Sequence, residues 1–154
     1  MSDLTLKWNT DALSADLVIA ANDLQSDEGL ETAVLLSLFL DRRAADGDVL
    51  PDGETDRRGW WADAVPVVEG DQIGSRLWLL ARSKNSPDVL DRAQEYAREA
   101  LQWLLDDKVA ASVDVVAQFI AGRGLGLTVT ISRPNKDPAK FRFGRAWAAE
   151  EARI

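Results

Sequence analysis

Five carboxylates in a short polar stretch are the side chains of this sequence best suited to chemistry. They are Asp46, Asp48, Asp52, Glu54 and Asp56. Two carboxyl groups facing each other across a cleft, roughly 5–10 Å apart with one in an apolar pocket, can hydrolyse a glycosidic bond. A carboxylate-based, lysozyme-like hydrolase is therefore one hypothesis, although a flexible acidic loop makes a poor pocket.

The same stretch has the composition of a calcium-binding loop but not its spacing. An EF-hand loop needs oxygen ligands at its first, third and fifth positions, glycine at the sixth and glutamate at the twelfth. Counted from Asp46, Leu50 falls at the fifth position and Pro51 at the sixth. The pattern fails, so we expect no metal and no cofactor. The simpler interpretation is a solvated acidic loop.

Cysteine and histidine are both absent from the chain. Without them, Ser-His-Asp and Cys-His catalysis and most zinc chemistry are impossible within this chain, and no disulfide can form. Histidine is also the side chain that most often serves as general base near neutral pH. Only carboxylate-based or Lys/Tyr-based catalysis stays open, so we expect a protein that is not an enzyme.

Arginine and tryptophan are concentrated in residues 56–80, a stretch with three arginines and three tryptophans. These residues are Arg57, Arg58, Trp60, Trp61, Arg76 and Trp78. Both types combine a large flat body with hydrogen-bond donors, which suits protein interfaces. The alternative, favoured by residue type alone, is a buried tryptophan cluster covered by arginine side chains.

The overall composition is that of an ordinary globular protein. The chain has 154 residues, of which 46% are hydrophobic and 29% charged, and its formal net charge is −8. That charge argues against binding to nucleic acid or to an anionic membrane, since both need a basic face. The N-terminus lacks the pattern of a signal peptide, and no apolar run approaches the ~20 residues that span a bilayer.

The first part of the chain indicates short strands followed by a helix. Alternation predicts strands at 4–8 and 16–20. Ser26 and Asp27 then offer a helix cap, so that a helix is expected from about residue 28 to about residue 43. This helix is apolar almost all round, which predicts burial on more than one side.

Two further helices are expected before the chain changes period. Apolar spacing predicts a short helix over 73–84. Ser86 as cap and Pro87 at the first helical position predict a long helix that continues to about residue 107.

The last third predicts a three-stranded antiparallel meander. Residues 112–120 and 125–131 alternate apolar and polar, and a third strand begins at 141–143 after a turn at 134–138. The fold class is therefore α+β, with N-terminal short strands, two to three helices and the meander packed on the helices. We expect one domain over 1–154: strands or an arm over 1–25, a helical part over 26–107 and the meander over 110–147.

Several sequence blocks, taken in order, resemble one known family. They are Leu-Leu-Ser-Leu-Phe-Leu-Asp-Arg-Arg at 35–43, Leu-Pro-Asp-Gly at 50–53, Asp-Arg-Arg-Gly-Trp-Trp at 56–61, Gly-Ser-Arg-Leu-Trp-Leu-Leu at 74–80 and Glu-Ala-Leu-Gln-Trp-Leu at 99–104. With them the chain resembles the Mu-like phage baseplate wedge family over about 4–147. That family is similar in role to the small sheath-initiating wedge protein of contractile tails.

The resemblance implies a structural subunit of a phage tail or tailocin. Such subunits join the baseplate wedges around the central tube in multiples of six, and the first sheath ring is built on their strands. The implied partners are other baseplate wedge subunits and the tail sheath protein. The implied location is the tail baseplate of the virion, and the host bacterial cytoplasm during assembly.

Two sets of residues are candidates for these contacts or for the framework behind them. The first is the arginine and tryptophan set given above. The second lies in the C-terminal strands, over about 125–147, and comprises Leu127, Val129, Ile131, Phe141 and Phe143. Strand 4–8 is a secondary candidate for strand pairing. The rival hypotheses are the hydrolase and a free-standing acidic adaptor that binds a basic partner.

Overall fold

The computed structural model describes residues 3–9, 12, 14–20, 23–24, 26–27, 29–121 and 124–147. Six short strands come first: β1 (Asp3–Leu4), β2 (Leu6–Asn9), β3 (Ser14–Leu17), β4 (Ile19–Ala20), β5 (Asp23–Leu24) and β6 (Ser26–Asp27). The helices α1 (Leu30–Phe39), α2 (Pro87–Leu101) and α3 (Trp103–Asp106) follow, and the chain then forms β7 (Ser112–Ile120), β8 (Gly124–Arg133) and β9 (Lys136–Trp147). The α+β fold class and the order of its elements are as the sequence predicts.

The N-terminal strands form three small antiparallel pairs, β1 with β6, β2 with β3 and β4 with β5. The strand expected at 4–8 is thus divided between β1 and β2. Strand β2 packs against α1, and Thr32 of that helix accepts a hydrogen bond at Oγ1 from the Leu6 backbone N–H at 3.0 Å.

Helix α1 is shorter than the sequence predicts at both ends. The expected cap residues Ser26 and Asp27 lie in β6, and Gly29 precedes the helix with φ +79°, a left-handed conformation that favours glycine. The helix ends at Phe39 because Leu40 turns extended and its carbonyl accepts a hydrogen bond from the Ser75 N–H at 2.9 Å. As expected from its apolar circumference, α1 lies between β2 and α2.

The prediction of a helix over 73–84 is wrong. Only Leu77–Leu80 is helical there, as one turn of 3-10 helix. Ser75 instead forms an isolated parallel bridge with Asp41 and hydrogen-bonds both Leu40 and Arg42 through its backbone. These long-range bonds take the backbone groups that a regular helix needs, so tertiary structure overrides local spacing.

The long helix begins at Pro87, as predicted, and its path continues to Asp106. At Gln102 the backbone stays helical, but the Gln102 N–H bonds to the carbonyl of Glu99, three residues back, which separates α2 from α3. Among the described helices, none is both long and apolar enough to cross a membrane.

The C-terminal sheet has the strand order β7-β8-β9, with both pairs antiparallel. β7 and β8 pair without a register shift, whereas β9 shifts relative to β8 on both sides of the regular section 139–143. The third strand begins at Lys136 and not at 141, because the turn is a tight one in which Asn135 has φ +58°. Its final described residues, up to Trp147, are strand.

The core lies between the helices and one face of the sheet. Its most deeply buried side chains include Leu38, Leu77, Leu101, Leu104, Leu127 and Ile131. Three aromatic rings join the distant parts of the chain: Trp8 stacks on Phe39 with ring centroids 4.3 Å apart, and Phe143 meets Phe39 edge-on at 5.4 Å. The N-terminal strands, α1 and the sheet therefore share one apolar cluster.

Candidate interaction surfaces

Arg76 connects the acidic loop to helix α2. Its Nε donates to Glu99 at 2.9 Å, its Nη1 donates to Asp48 at 3.0 Å, and its guanidinium lies 4.6 Å from the centre of the Tyr96 ring. Partial burial lowers the pKa of Arg76, but the hydrogen bonds and charges of Asp48 and Glu99 more than offset this and raise it above the ordinary value. Arg76 thus stays charged and links the acidic loop to α2 through its ion pairs with Asp48 and Glu99.

A second arginine, Arg58, makes a cation–π contact with Trp78. The Trp78 side chain is buried, its Nε1 donates to the carbonyl of Arg42 at 2.8 Å, and the Arg58 guanidinium covers its ring at 4.4 Å. Arg58 also pairs with Asp41 at 2.9 Å and with Glu54 at 3.4 Å. Burial lowers the pKa of Arg58, but these two carboxylates raise it overall. Trp78 is thus buried, and the partly exposed Arg58 side chain lies over it.

The acidic loop supplies carboxylates that form ion pairs with arginines. Besides Asp48 and Glu54, Asp52 forms an ion pair with Arg82. Arg57 donates from its guanidinium to backbone carbonyls on the far side of the loop, and its own carbonyl accepts from the Ala44 N–H at 2.9 Å. Across the described part of the chain, no three acidic side chains converge as a metal site would require. Three of the five carboxylates, Asp48, Asp52 and Glu54, are thus paired with arginines, and these pairs hold the loop in place.

Trp60 and Trp61 lie in a very different environment from Trp78. Their side chains are 43% and 78% exposed, and their ring centroids are 5.7 Å apart. Exposed neighbouring indoles of this kind are typical of protein interfaces rather than of framework positions.

The candidate residues of the C-terminal strands face inward. Leu127, Val129 and Ile131 of β8 are buried, as is Phe143 of β9, and Phe141 is half-buried. β8 is also paired on both sides, so its backbone has no free edge. The outer backbone edge of β9, in contrast, is not paired with any other described strand.

Sequence reasoning missed an apolar surface in the connector between Trp60 and Gly74. Val65, Val67 and Val68 are 76%, 104% and 64% exposed. Val65 and Val67, together with α1, border a groove of about 500 Å³. The signal was present as the run Val-Pro-Val-Val at 65–68, which is apolar yet carries a proline that no central strand accommodates.

Comparison with known proteins supplies the family. Residues 30–138 match the family described as phage protein GP46. The chain is 40% identical over 147 residues to baseplate protein gp46 of Escherichia phage Mu, which covers 96% of this chain and 98% of that protein. It is also 40% identical over 148 residues to the Mu-like prophage FluMu protein gp46 of Haemophilus influenzae, covering 96% and 99% of the two chains. The chain therefore belongs to the GP46 family of Mu-like phage proteins.

Proposed function

We propose that this chain is a structural subunit of the baseplate of a contractile phage tail or tailocin, without enzymatic activity. The observation that carries the proposal is the near full-length likeness to the baseplate protein of phage Mu. The contacts are consistent with it, since three of the five loop carboxylates, Asp48, Asp52 and Glu54, are paired with arginines. In finer detail, the subunit belongs to the wedge, is present in multiples of six and seeds the sheath by strand pairing.

The strand pairing is assigned to the outer edge of β9. Over 139–143 this strand pairs regularly with β8, and no other described strand pairs with its outer side. Edge strands commonly carry bulges and charged residues that discourage unwanted association. β9 has register shifts on both sides of 139–143 and exposes Lys140 and Arg142 within it. An incoming sheath strand would add along this short section.

Hydrogen exchange in a reconstituted complex tests the proposal. The chain is mixed with the purified baseplate and sheath proteins of its phage, and amide exchange is followed residue by residue. We expect a stable complex with the baseplate proteins. Adding the sheath protein should slow exchange at alternate residues of 139–143, because alternate backbone groups point outward from an edge strand.

The amides of β8 are the internal control, since that strand is already paired on both sides. Their exchange should not change when the sheath protein is added. Failure to join the baseplate proteins would overturn the structural role. A complex in which the sheath protein protects other surfaces and leaves β9 unchanged would overturn only the strand-pairing assignment.

A further inference from the structure

The groove between α1 and the connector 60–74 has the properties of a docking site. Its apolar lining includes Leu36 and Ala33 of α1, Trp103 of α3, and Val65 and Val67 of the connector. Val67 is fully exposed, and its neighbour Val65 is 76% exposed. So many apolar side chains around one concavity of about 500 Å³ are unfavourable in water unless a partner covers them.

A carboxylate oxygen in the wall of this groove lacks a partner. Oδ1 of Asp63 accepts a hydrogen bond from the Ile73 backbone N–H at 3.3 Å. Oδ2 of the same carboxylate is shielded from solvent and has no hydrogen-bond partner among the described residues. A buried acceptor of this kind is costly, and the cost is higher for a charged group. Among the described residues, the negative charge of Asp63 therefore has no cationic partner beside the groove.

The polar lining determines the charge of the occupant. Asp63 and Asp71 both line the groove, and none of its described lining residues is a lysine or an arginine. The chain as a whole carries a formal net charge of −8. A second copy of this chain would therefore bring like charge to an acidic groove, whereas a cationic segment is complementary to it.

We propose that the groove binds a peptide segment of another baseplate subunit, in which apolar side chains flank a lysine or arginine. The apolar side chains cover Val65, Val67 and Trp60, and the cationic group lies against the two carboxylates that line the groove, Asp63 and Asp71. Trp60, which the sequence indicated as a candidate interface residue, would then contact the apolar side chains of the bound peptide. This inference rests on the baseplate role proposed above and adds the kind of segment that is bound.

Peptide binding with a double-mutant cycle tests the proposal. Overlapping synthetic peptides that tile the other baseplate proteins of the same phage are titrated calorimetrically against the whole chain. Each binding peptide is remade with its lysine or arginine replaced by norleucine or citrulline, which are neutral. We expect neutralisation to weaken binding to the wild type by about tenfold, and to have little effect on Asp63→Asn. The asparagine keeps the Oδ1 acceptor for Ile73, so this variant should fold.

Val67→Asn is the second variant, and Val49→Asn is its matched control. Both valines are highly exposed, 104% and 87%, but Val49 does not line the groove. We expect Val67→Asn to weaken peptide binding by about tenfold or more and Val49→Asn to leave it unchanged. The proposal is overturned if no peptide binds, if the two valine variants behave alike, if neutralising the peptide costs the same with Asp63→Asn, or if the groove mediates only self-association.

Assembly in the cell distinguishes failure of this inference from failure of the baseplate role. The same variants are tested for incorporation into tails in a phage that lacks the wild-type gene. If Val67→Asn were incorporated as well as the wild type, the groove would not be a contact in the baseplate, and the baseplate role would stand. If the wild type itself stayed out of the baseplate, the baseplate role would fail, and the groove proposal with it.

Discussion

The guanidinium of Arg58 lies 4.4 Å from the centre of the Trp78 ring while its Nη1 contacts Asp41 at 2.9 Å. One side chain thus holds together the end of the acidic loop, the segment after α1 and the 3-10 turn Leu77–Leu80. Arg58 does so from a backbone with φ +52°, which is uncommon for a residue other than glycine. The contacts of its side chain stabilise that conformation.

Replacing Arg58 by lysine should lower the free energy of unfolding by about 1 kcal/mol. Lysine keeps the charge, but it cannot stack a flat guanidinium on Trp78 or reach Asp41 and Glu54 at the same time. Urea unfolding monitored by circular dichroism measures the change. Arg92→Lys on the exposed face of α2 is the control, with an expected change within about 0.5 kcal/mol. Equal effects for the two variants would contradict a special role for the stack.

Gly74→Ala should destabilise the protein by about 2–6 kcal/mol, the sum of a strained backbone and an overpacked contact. Gly74 has φ +95°, and a Cβ there would meet the backbone of Leu40, with the carbonyl carbon 2.8 Å away. Gly47→Ala is the matched control, since no atom lies within 4 Å of its Cβ position. Thermal unfolding of both variants checks the difference, and a Gly74→Ala protein as stable as Gly47→Ala would refute the close approach.

Trp8→Ala should cost about 2–4 kcal/mol, because it removes the stack on Phe39 and leaves a cavity beside Phe143. We propose that residues 1–154 unfold as one cooperative unit through this shared cluster. Tryptophan fluorescence and far-ultraviolet circular dichroism should therefore give coincident urea transitions in both the wild type and the variant. An early, separate transition of the N-terminal strands in the wild type would argue against a single unit.

Tyr96 should ionise at a higher pH in the folded protein than in the unfolded chain. Burial is the main reason that its pKa is raised, and the charge of Asp48 adds to it, against smaller opposing effects of Arg76 and Arg92. A pKa that is higher in the folded state gives stability that is complete below the unfolded value of about 10 and is lost as the pH rises through the folded value. Alkaline conditions should thus weaken the fold.

Since Tyr96 is the single tyrosine of the chain, phenolate absorbance reports it directly. The midpoint should fall from above 10 in buffer to about 10 in denaturant. Tyr96→Phe should lose less stability than the wild type between neutral and alkaline pH. Identical midpoints with and without denaturant would contradict the raised pKa.

The elements best predicted from the sequence are those whose own pattern matches their burial. In β8, Leu127, Val129 and Ile131 alternate along the strand and all point into the core, so period-two spacing was sufficient. Pro87 set the start of α2 for an equally local reason. These features depend on neighbours along the chain, which a sequence shows.

The rest depended on contacts between distant residues. Ile73 to Leu80 has helical spacing, but the bonds from Ser75 to Leu40 and Arg42 fix a different backbone there. For the same reason, composition could not distinguish Trp61, which is exposed, from Trp78, whose indole is held by the carbonyl of Arg42. The exposed valines of the groove were missed because the sequence at 65–71 indicates a connector with a turn at Gly70-Asp71, and such a pattern does not show which side chains are exposed.

The short regular section of β9 limits how strongly a single subunit could hold an incoming strand. Five residues, 139–143, offer about five backbone hydrogen bonds, each contributing roughly 1 kcal/mol net, and association itself costs at least as much. A single subunit would therefore release a bound sheath strand quickly. Several subunits held together in a ring would bind several sheath strands at once and gain affinity by avidity. Under the proposed strand pairing, sheath assembly would therefore start only where several subunits are already held together.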